Sequence, residues 1–83
     1  MKRAPRLKKL NAAVARLGGV GVVAVELGWD RTWLYRVLRA ERTLPLERAR
    51  LLSRLTGVPL RALPFRERRW GAVVVNRVEE HDR

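Results

Sequence analysis

Residues 20–40 read VGVVAVELGWDRTWLYRVLRA, and this stretch decides the fold. Ala24 is followed four residues later by Gly28, and Gly28 six residues later by Leu34. That spacing suits two short helices crossing at a tight turn. A small residue at Ala24 lets the helices approach closely, and Gly28 tolerates the positive φ that a sharp turn demands. In the second half, Asp30 is a good N-cap. Leu34, Val37 and Leu38 follow at the i, i+3, i+4 spacing of a buried helical stripe. Thr32, Tyr35, Arg36 and Arg39 then fall on the other side, with Arg31. The first half is ambiguous. Val20, Val22, Val23 and Val25 are β-branched and Gly21 is a poor helix former, so propensity alone reads a strand. The register of Ala24, Gly28 and Leu34 favours a helix.

Working outward, Leu7, Leu10, Val14 and Leu17 recur at helical spacing, with Lys8, Lys9 and Arg16 mainly off the stripe. Gly18 and Gly19 end this first helix. Downstream, Pro45 marks a helix start with Glu47 in the first turn, where a carboxylate complements the helix dipole. Leu46, Ala49, Leu52 and Leu55 supply its buried face, and Gly57 stops it. Pro59 opens a short fifth helix that Pro64 ends. Residues 65–69, FRERR, read as a charged connection. Residues 70–78, WGAVVVNRV, are strand-like. The sequence therefore predicts a mostly α fold of five helices with a C-terminal β-strand. Residues 1–64 form the helical domain and residues 65–83 a strand and tail.

Composition narrows the function. The chain has 83 residues, one domain's worth. It carries 19 Lys plus Arg against 8 Asp plus Glu, a net charge of +11. Such an excess attracts polyanions, nucleic acid or an anionic membrane surface. Sixteen of the 19 are arginine, the better side chain for two-pronged contacts to phosphate and guanine. An arginine-rich genome or a thermophilic host accounts for the Arg-to-Lys ratio but not for the net excess. There is no cysteine and a single histidine, His81, so a thiolate metal site is excluded and zinc is not expected. Glu79, Glu80 and Asp82 surround His81, a grouping read as a polar tail. No cofactor is expected. No Ser/His/Asp set, cysteine nucleophile or phosphate loop points to an enzyme. No apolar run approaches the ~20 residues of a membrane span, and no secretory signal follows the basic start. A cytosolic protein is the expectation.

Three segments carry a resemblance to the Cro-type, lambda-repressor-like helix-turn-helix regulators, especially the YdaS-like subgroup of phage and prophage. GGVGVVAVELGW resembles the first motif helix and turn, DRTWLYRVLRAER the recognition helix and its exit, and TLPLERARLLSRLTGV the following helix. The likeness runs from about Leu7 to Leu63. It implies double-stranded DNA as the partner and transcriptional regulation, with repression favoured. Arg31, Thr32, Tyr35 and Arg36 match the base-reading positions of such helices. Their chemistry agrees: arginine bonds guanine O6 and N7 together, threonine meets a thymine methyl, and tyrosine reaches a phosphate or base edge. Arg39, Arg42, Thr43, Lys8 and Lys9 are candidate phosphate contacts, which position a protein without reading sequence. One departure matters: the family often begins its first motif helix with a phosphate-bonding glutamine, and this chain has Val20 there.

Trp33 flanks the outer face, where it packs against another helix, lies on the sugar–phosphate backbone or fills a protein interface. The valine-rich C-terminal strand has no evident partner within the chain, so a homodimer ribbon through Trp70, Val73, Val74, Val75 and Val78 is expected. A strand folding back on its own domain and a short tail helix are the alternatives. Other function classes are an interaction module with a host protein partner, such as an antitoxin or a phage modulator of host RNA polymerase, and a DNA-packaging or replication accessory protein.

Overall fold

The computed structural model of the chain describes residues 7–76. The ambiguous valine segment is helical. After a first helix, α1 (Lys8–Arg16), Gly18 and Gly19 take φ of +113° and +106°, and the chain turns into α2 (Val20–Leu27). The two helix axes meet at 81°. Tertiary burial overrides propensity here. Each valine costs only about 0.5 kcal/mol of helix propensity relative to alanine. Burying a side chain such as Val23 gains about 1.5 kcal/mol or more. Val23 and Ala24 are both buried, while Val22 and Val25 remain exposed.

Two further helices follow, α3 (Arg31–Leu38) and α4 (Leu46–Thr56). Gly57, at φ +76°, ends α4 as its sequence anticipates. Ser53 Oγ donates to the Val58 carbonyl at 2.6 Å and Thr56 Oγ1 to the Leu52 carbonyl at 2.7 Å, tying down this terminus. The core is made of Leu7, Leu10 and Val14 around α1, Val23 and Ala24 of α2, Leu34, Val37 and Leu38 of α3, Ala49 and Leu52 of α4, together with Leu44, Val58 and Leu63. No polar side chain is buried among the described residues. Leu17, expected on the α1 stripe, is exposed: it lies past the last helical residue, where the chain already turns toward Gly18.

Two expectations are corrected. The described residues hold four α-helices, not five. The segment between Pro59 and Pro64 is a 3₁₀ turn, Leu60–Ala62, closed by bonds from Ala62 N–H to the Pro59 carbonyl and Leu63 N–H to the Leu60 carbonyl. Two bracketing prolines leave too few residues to build an α-helical ladder. The second correction concerns the tail. The charged residues Phe65–Arg69 are a strand, β2, and the following strand is Ala72–Val75, β3, joined to it through Trp70 and Gly71. The C-terminal strand thus has a partner within the chain, and Trp70 lies in the turn rather than in the strand. Val78 lies outside the described residues.

The hairpin joins the helical part through β1 (Leu44–Pro45), which pairs parallel with β2, Leu44 opposite Phe65. Leu44 N–H donates to the Pro64 carbonyl at 2.7 Å. Asn76 closes the other end: its N–H bonds the Phe65 carbonyl at 2.7 Å, and its amide donates to the Leu63 and Arg61 carbonyls at 2.6 and 3.0 Å. Sheet order is β1-β2-β3, so β3 is an edge strand among the described residues. The antiparallel register sets Arg66 opposite Val75 and Arg68 opposite Val73. Directly opposed residues share a face, so these four side chains form the outer face. Phe65 packs toward the core from the inner one. Among the described residues no single helix is long and apolar enough to cross a membrane.

Candidate nucleic-acid interface

The turn that aims α3 is built as its glycine requires. Gly28 sits at φ +71°, and the Trp29 N–H reaches back to the Ala24 carbonyl at 2.8 Å. Ala24 is buried at the crossing of α2 and α3. Asp30 occupies the N-cap position with extended backbone, and its carbonyl accepts the first α3 bond from Leu34 N–H at 3.0 Å. The Asp30 side chain makes no capping bond, contrary to expectation. Its carboxylate therefore acts on α3 through the helix dipole alone.

With Leu34, Val37 and Leu38 wholly inside, Arg31, Thr32, Tyr35 and Arg36 are all exposed. At ~100° per residue the four spread over about 140° of the helix circumference. The sequence therefore assigned this face correctly as the outward one. Arg31 lies alongside Gly21 of α2, whose missing side chain leaves its Cβ position 3.6 Å from Arg31 Cδ. Val20, Gly21, Arg31, Thr32 and Tyr35 together line an open depression of about 300 Å³.

The C-terminal end of α3 is closed by two devices. One is local. Ala40 takes φ +61°, with Ala40 N–H donating to the Val37 carbonyl and Glu41 N–H to the Arg36 carbonyl, each at 2.9 Å. This is the Schellman pairing, with alanine where glycine is usual. The other comes from far along the chain: Asn11 Nδ2 of α1 donates to the Leu38 carbonyl at 3.0 Å, and to the Leu7 carbonyl at 2.9 Å. The last α3 carbonyl thereby gains a partner, and α1 is fastened to the base of the candidate recognition helix.

Arg39 follows this cap. Its guanidinium donates to the Tyr35 hydroxyl at 3.3 Å, stacks 5.6 Å from the ring centroid and pairs with the Glu41 carboxylate at 3.0 Å. The Tyr35 bond, and then the nearby Glu41 charge, hold its pKa above the ordinary arginine value. Tyr35 and Glu41 are thus the partners that orient the exposed Arg39 guanidinium. Arg42 is exposed beyond it. Thr43, expected as a phosphate contact, spends its hydroxyl on Arg66: Arg66 Nη1 donates to Thr43 Oγ1 at 2.9 Å and also to the Thr43 carbonyl. Ala40, Glu41, Arg42, Thr43 and Arg66 line a second depression of about 360 Å³. Lys8 and Lys9 are exposed on α1, outside both depressions.

Trp33 packs against another helix. Arg48 of α4 lies over its ring at 4.7 Å and over the Trp29 ring at 5.3 Å, while the two indoles meet edge to face at 5.6 Å. The cluster buttresses α3 against α4 from the flank of the outward face. Sequence reasoning missed Arg48, Asn11 and Arg66. Of these, Asn11 left the clearest signal, a polar residue one turn from Leu7 and directly after Leu10. Trp70, Val73, Val74 and Val75 are all exposed. Among the described residues no group of three or more potential metal ligands comes together, and the His81 neighbourhood lies outside them.

No protein-family model matches the chain, and no curated protein or solved structure matches it.

Proposed function

We propose that the chain binds double-stranded DNA, with α3 entering the major groove, and acts as a transcriptional regulator of phage or mobile-element type, repression being the favoured mode. The observation that carries this reading is the outward face of α3. Arg31, Thr32, Tyr35 and Arg36 stand exposed on a helix whose opposite stripe is wholly buried, in a chain of net charge +11. A helix fits the major groove, and these side chains carry the donors and the methyl group that distinguish base pairs there. Arg39 and Arg42 extend the positive surface past the helix end, where phosphates flank the groove. A second copy paired along the β3 edge, through Val73, Val74 and Val75, would place two recognition helices about one DNA turn (~34 Å) apart on a roughly palindromic site.

Selection of bound DNA from a random pool at two salt concentrations tests the reading. A consensus lost at one position in Arg36→Ala, but kept in Arg42→Ala with weaker binding overall, supports it. Salt-sensitive binding with no consensus refutes sequence-specific recognition and favours a packaging or replication accessory. Absence of duplex binding refutes the proposal and moves weight to a protein-interaction module such as an antitoxin or a polymerase modulator.

A further inference from the structure

Trp70 is 99 % exposed, the most exposed large apolar side chain among the described residues. It sits at the tip of the β2–β3 hairpin, where Trp70 and Gly71 have φ of +49° and +79°. Positive φ at both central residues marks the two-residue hairpin turn that matches strand twist, and that turn favours Asn, Asp or Gly in the first position. A bulky aromatic with positive φ is an outlier. Trp70 therefore gains nothing from burial and opposes its own backbone, a combination that points to use outside the fold.

The surroundings indicate what it meets. Arg66 and Arg68 share the outer face of the hairpin. Arg66 is held at Thr43, next to Arg42 and the exit of α3, so the outer face continues the surface that α3 begins. Arg69 is paired with Glu67 at 2.6 Å, whereas Arg68 has no carboxylate within salt-bridge distance among the described residues. Four residues of strand carry the chain about 13 Å from Arg66 to the tip. The result is a basic projection ending in an indole, beside the face assigned to DNA.

We infer that this hairpin is a second DNA contact, with Arg68 on the phosphates and Trp70 inserted in the minor groove that flanks the α3 site, its ring against a base. The inference rests on the α3 reading. Its occupant is the same duplex, argued from charge complementarity and from continuity with the α3 surface. Aromatic and apolar side chains insert there and widen or kink the groove, so the contact favours deformable flanking steps over any single base.

The test uses the full chain and duplexes carrying the selected site with long flanks (about one helical turn, ~10 bp, on each side) or almost none. Trp70→Asn is the informative variant, because Asn-Gly is a preferred pair for this turn and keeps the hairpin. Its thermal midpoint should equal or exceed that of the parent chain. On long flanks Trp70→Asn should bind about tenfold more weakly, the size of one lost aromatic contact with nucleic acid. On short flanks it should bind like the parent, and Arg68→Ala should show the same flank dependence. Unchanged affinity of Trp70→Asn on long flanks overturns the inference. So does an equal loss on both lengths, or a loss that tracks conversion of a dimer to a monomer in sedimentation, which would assign Trp70 to a second copy. A parent chain with an Arg36-dependent consensus and no flank dependence refutes the hairpin contact alone. A parent chain that binds no duplex refutes the α3 reading with it.

Discussion

Replacing Ala40 with glycine should stabilise the protein, although the same exchange elsewhere on the chain should weaken it. Ala40 is the residue after the α3 C-cap and sits at φ +61°, where its Cβ crowds the backbone. A non-glycine residue in this left-handed region costs about 1–2 kcal/mol. Glycine removes that cost but gives up roughly 0.5–1 kcal/mol of unfolded-chain entropy. The net gain is about 0.5–1 kcal/mol. Ala40 is exposed, so little buried surface is lost with its methyl group. For a domain of this size, that raises the thermal midpoint by roughly 2–8 °C. Ala12, exposed in the middle of α1, is the control. There the substitution costs about 1 kcal/mol and lowers the midpoint by about 4–8 °C. Thermal and urea unfolding of both variants by circular dichroism gives the signs directly. A lowered midpoint in Ala40→Gly, or a shift of the same sign in both variants, would refute the argument that the α3 exit is held in a glycine-type conformation by the Glu41–Arg36 and Ala40–Val37 bonds.

Other outcomes follow from the same geometry. Asn11→Ala removes two side-chain bonds at the α1–α3 junction and should cost about 1–2 kcal/mol in urea unfolding; an unchanged midpoint would mean that water satisfies the Leu38 carbonyl equally well. Arg48→Met keeps an apolar stem over Trp29 and Trp33 but removes the cation, with an expected loss of about 0.5–1 kcal/mol and a change in tryptophan emission; an unaltered spectrum would show that the stacking does not persist in solution. If Arg39 and Arg42 each neutralise one phosphate on a short-flanked duplex, log affinity against log salt should fall with a slope of about −1.8 per protomer. Arg42→Ala should make that slope shallower by about 1, and an unchanged slope would remove Arg42 from the interface.

The parts of the fold legible in the sequence are those set by short-range periodicity. Leu34, Val37 and Leu38 lie on one stripe at helical spacing, so α3 and its outward face follow at once. Gly28 and Gly57 take the positive φ expected of helix stops. The Val20–Leu27 helix was legible only through its neighbours, because four β-branched residues argue for a strand until Val23 and Ala24 find a core to enter. The hairpin was hidden for two reasons. Residues 65–69 have a single apolar member, Phe65, and a strand with one face in water needs little more. Their turn carries Trp-Gly in place of the usual Asn-Gly, so the strongest short-range hairpin signal is absent. The fifth helix failed for a simpler reason, since a segment bracketed by Pro59 and Pro64 matched the punctuation of a helix without the length to make one.

The candidate site divides along the same line. Its central residues share one helix, and their common direction follows from the helical repeat alone. Its margins depend on contacts between residues far apart in sequence: Asn11 reaches Leu38, Arg66 reaches Thr43, and Arg48 reaches Trp29 and Trp33. A local pattern can flag one member, as Asn11 on the α1 stripe, but it does not name the partner, because each meeting requires the chain to have already returned on itself. The Thr43 case shows the functional consequence. Its hydroxyl read as a free phosphate ligand, but it is engaged by Arg66, and so the two-residue strand β1 anchors a basic hairpin beside the recognition face. A parallel pair this short holds little by itself. Leu44, buried on one side of it, and the Arg66–Thr43 bonds on the other fix the hairpin's direction relative to α3. Loosening that anchor with Thr43→Val should therefore weaken binding to long-flanked DNA more than to short-flanked DNA, although Thr43 itself touches neither a base nor the hairpin tip.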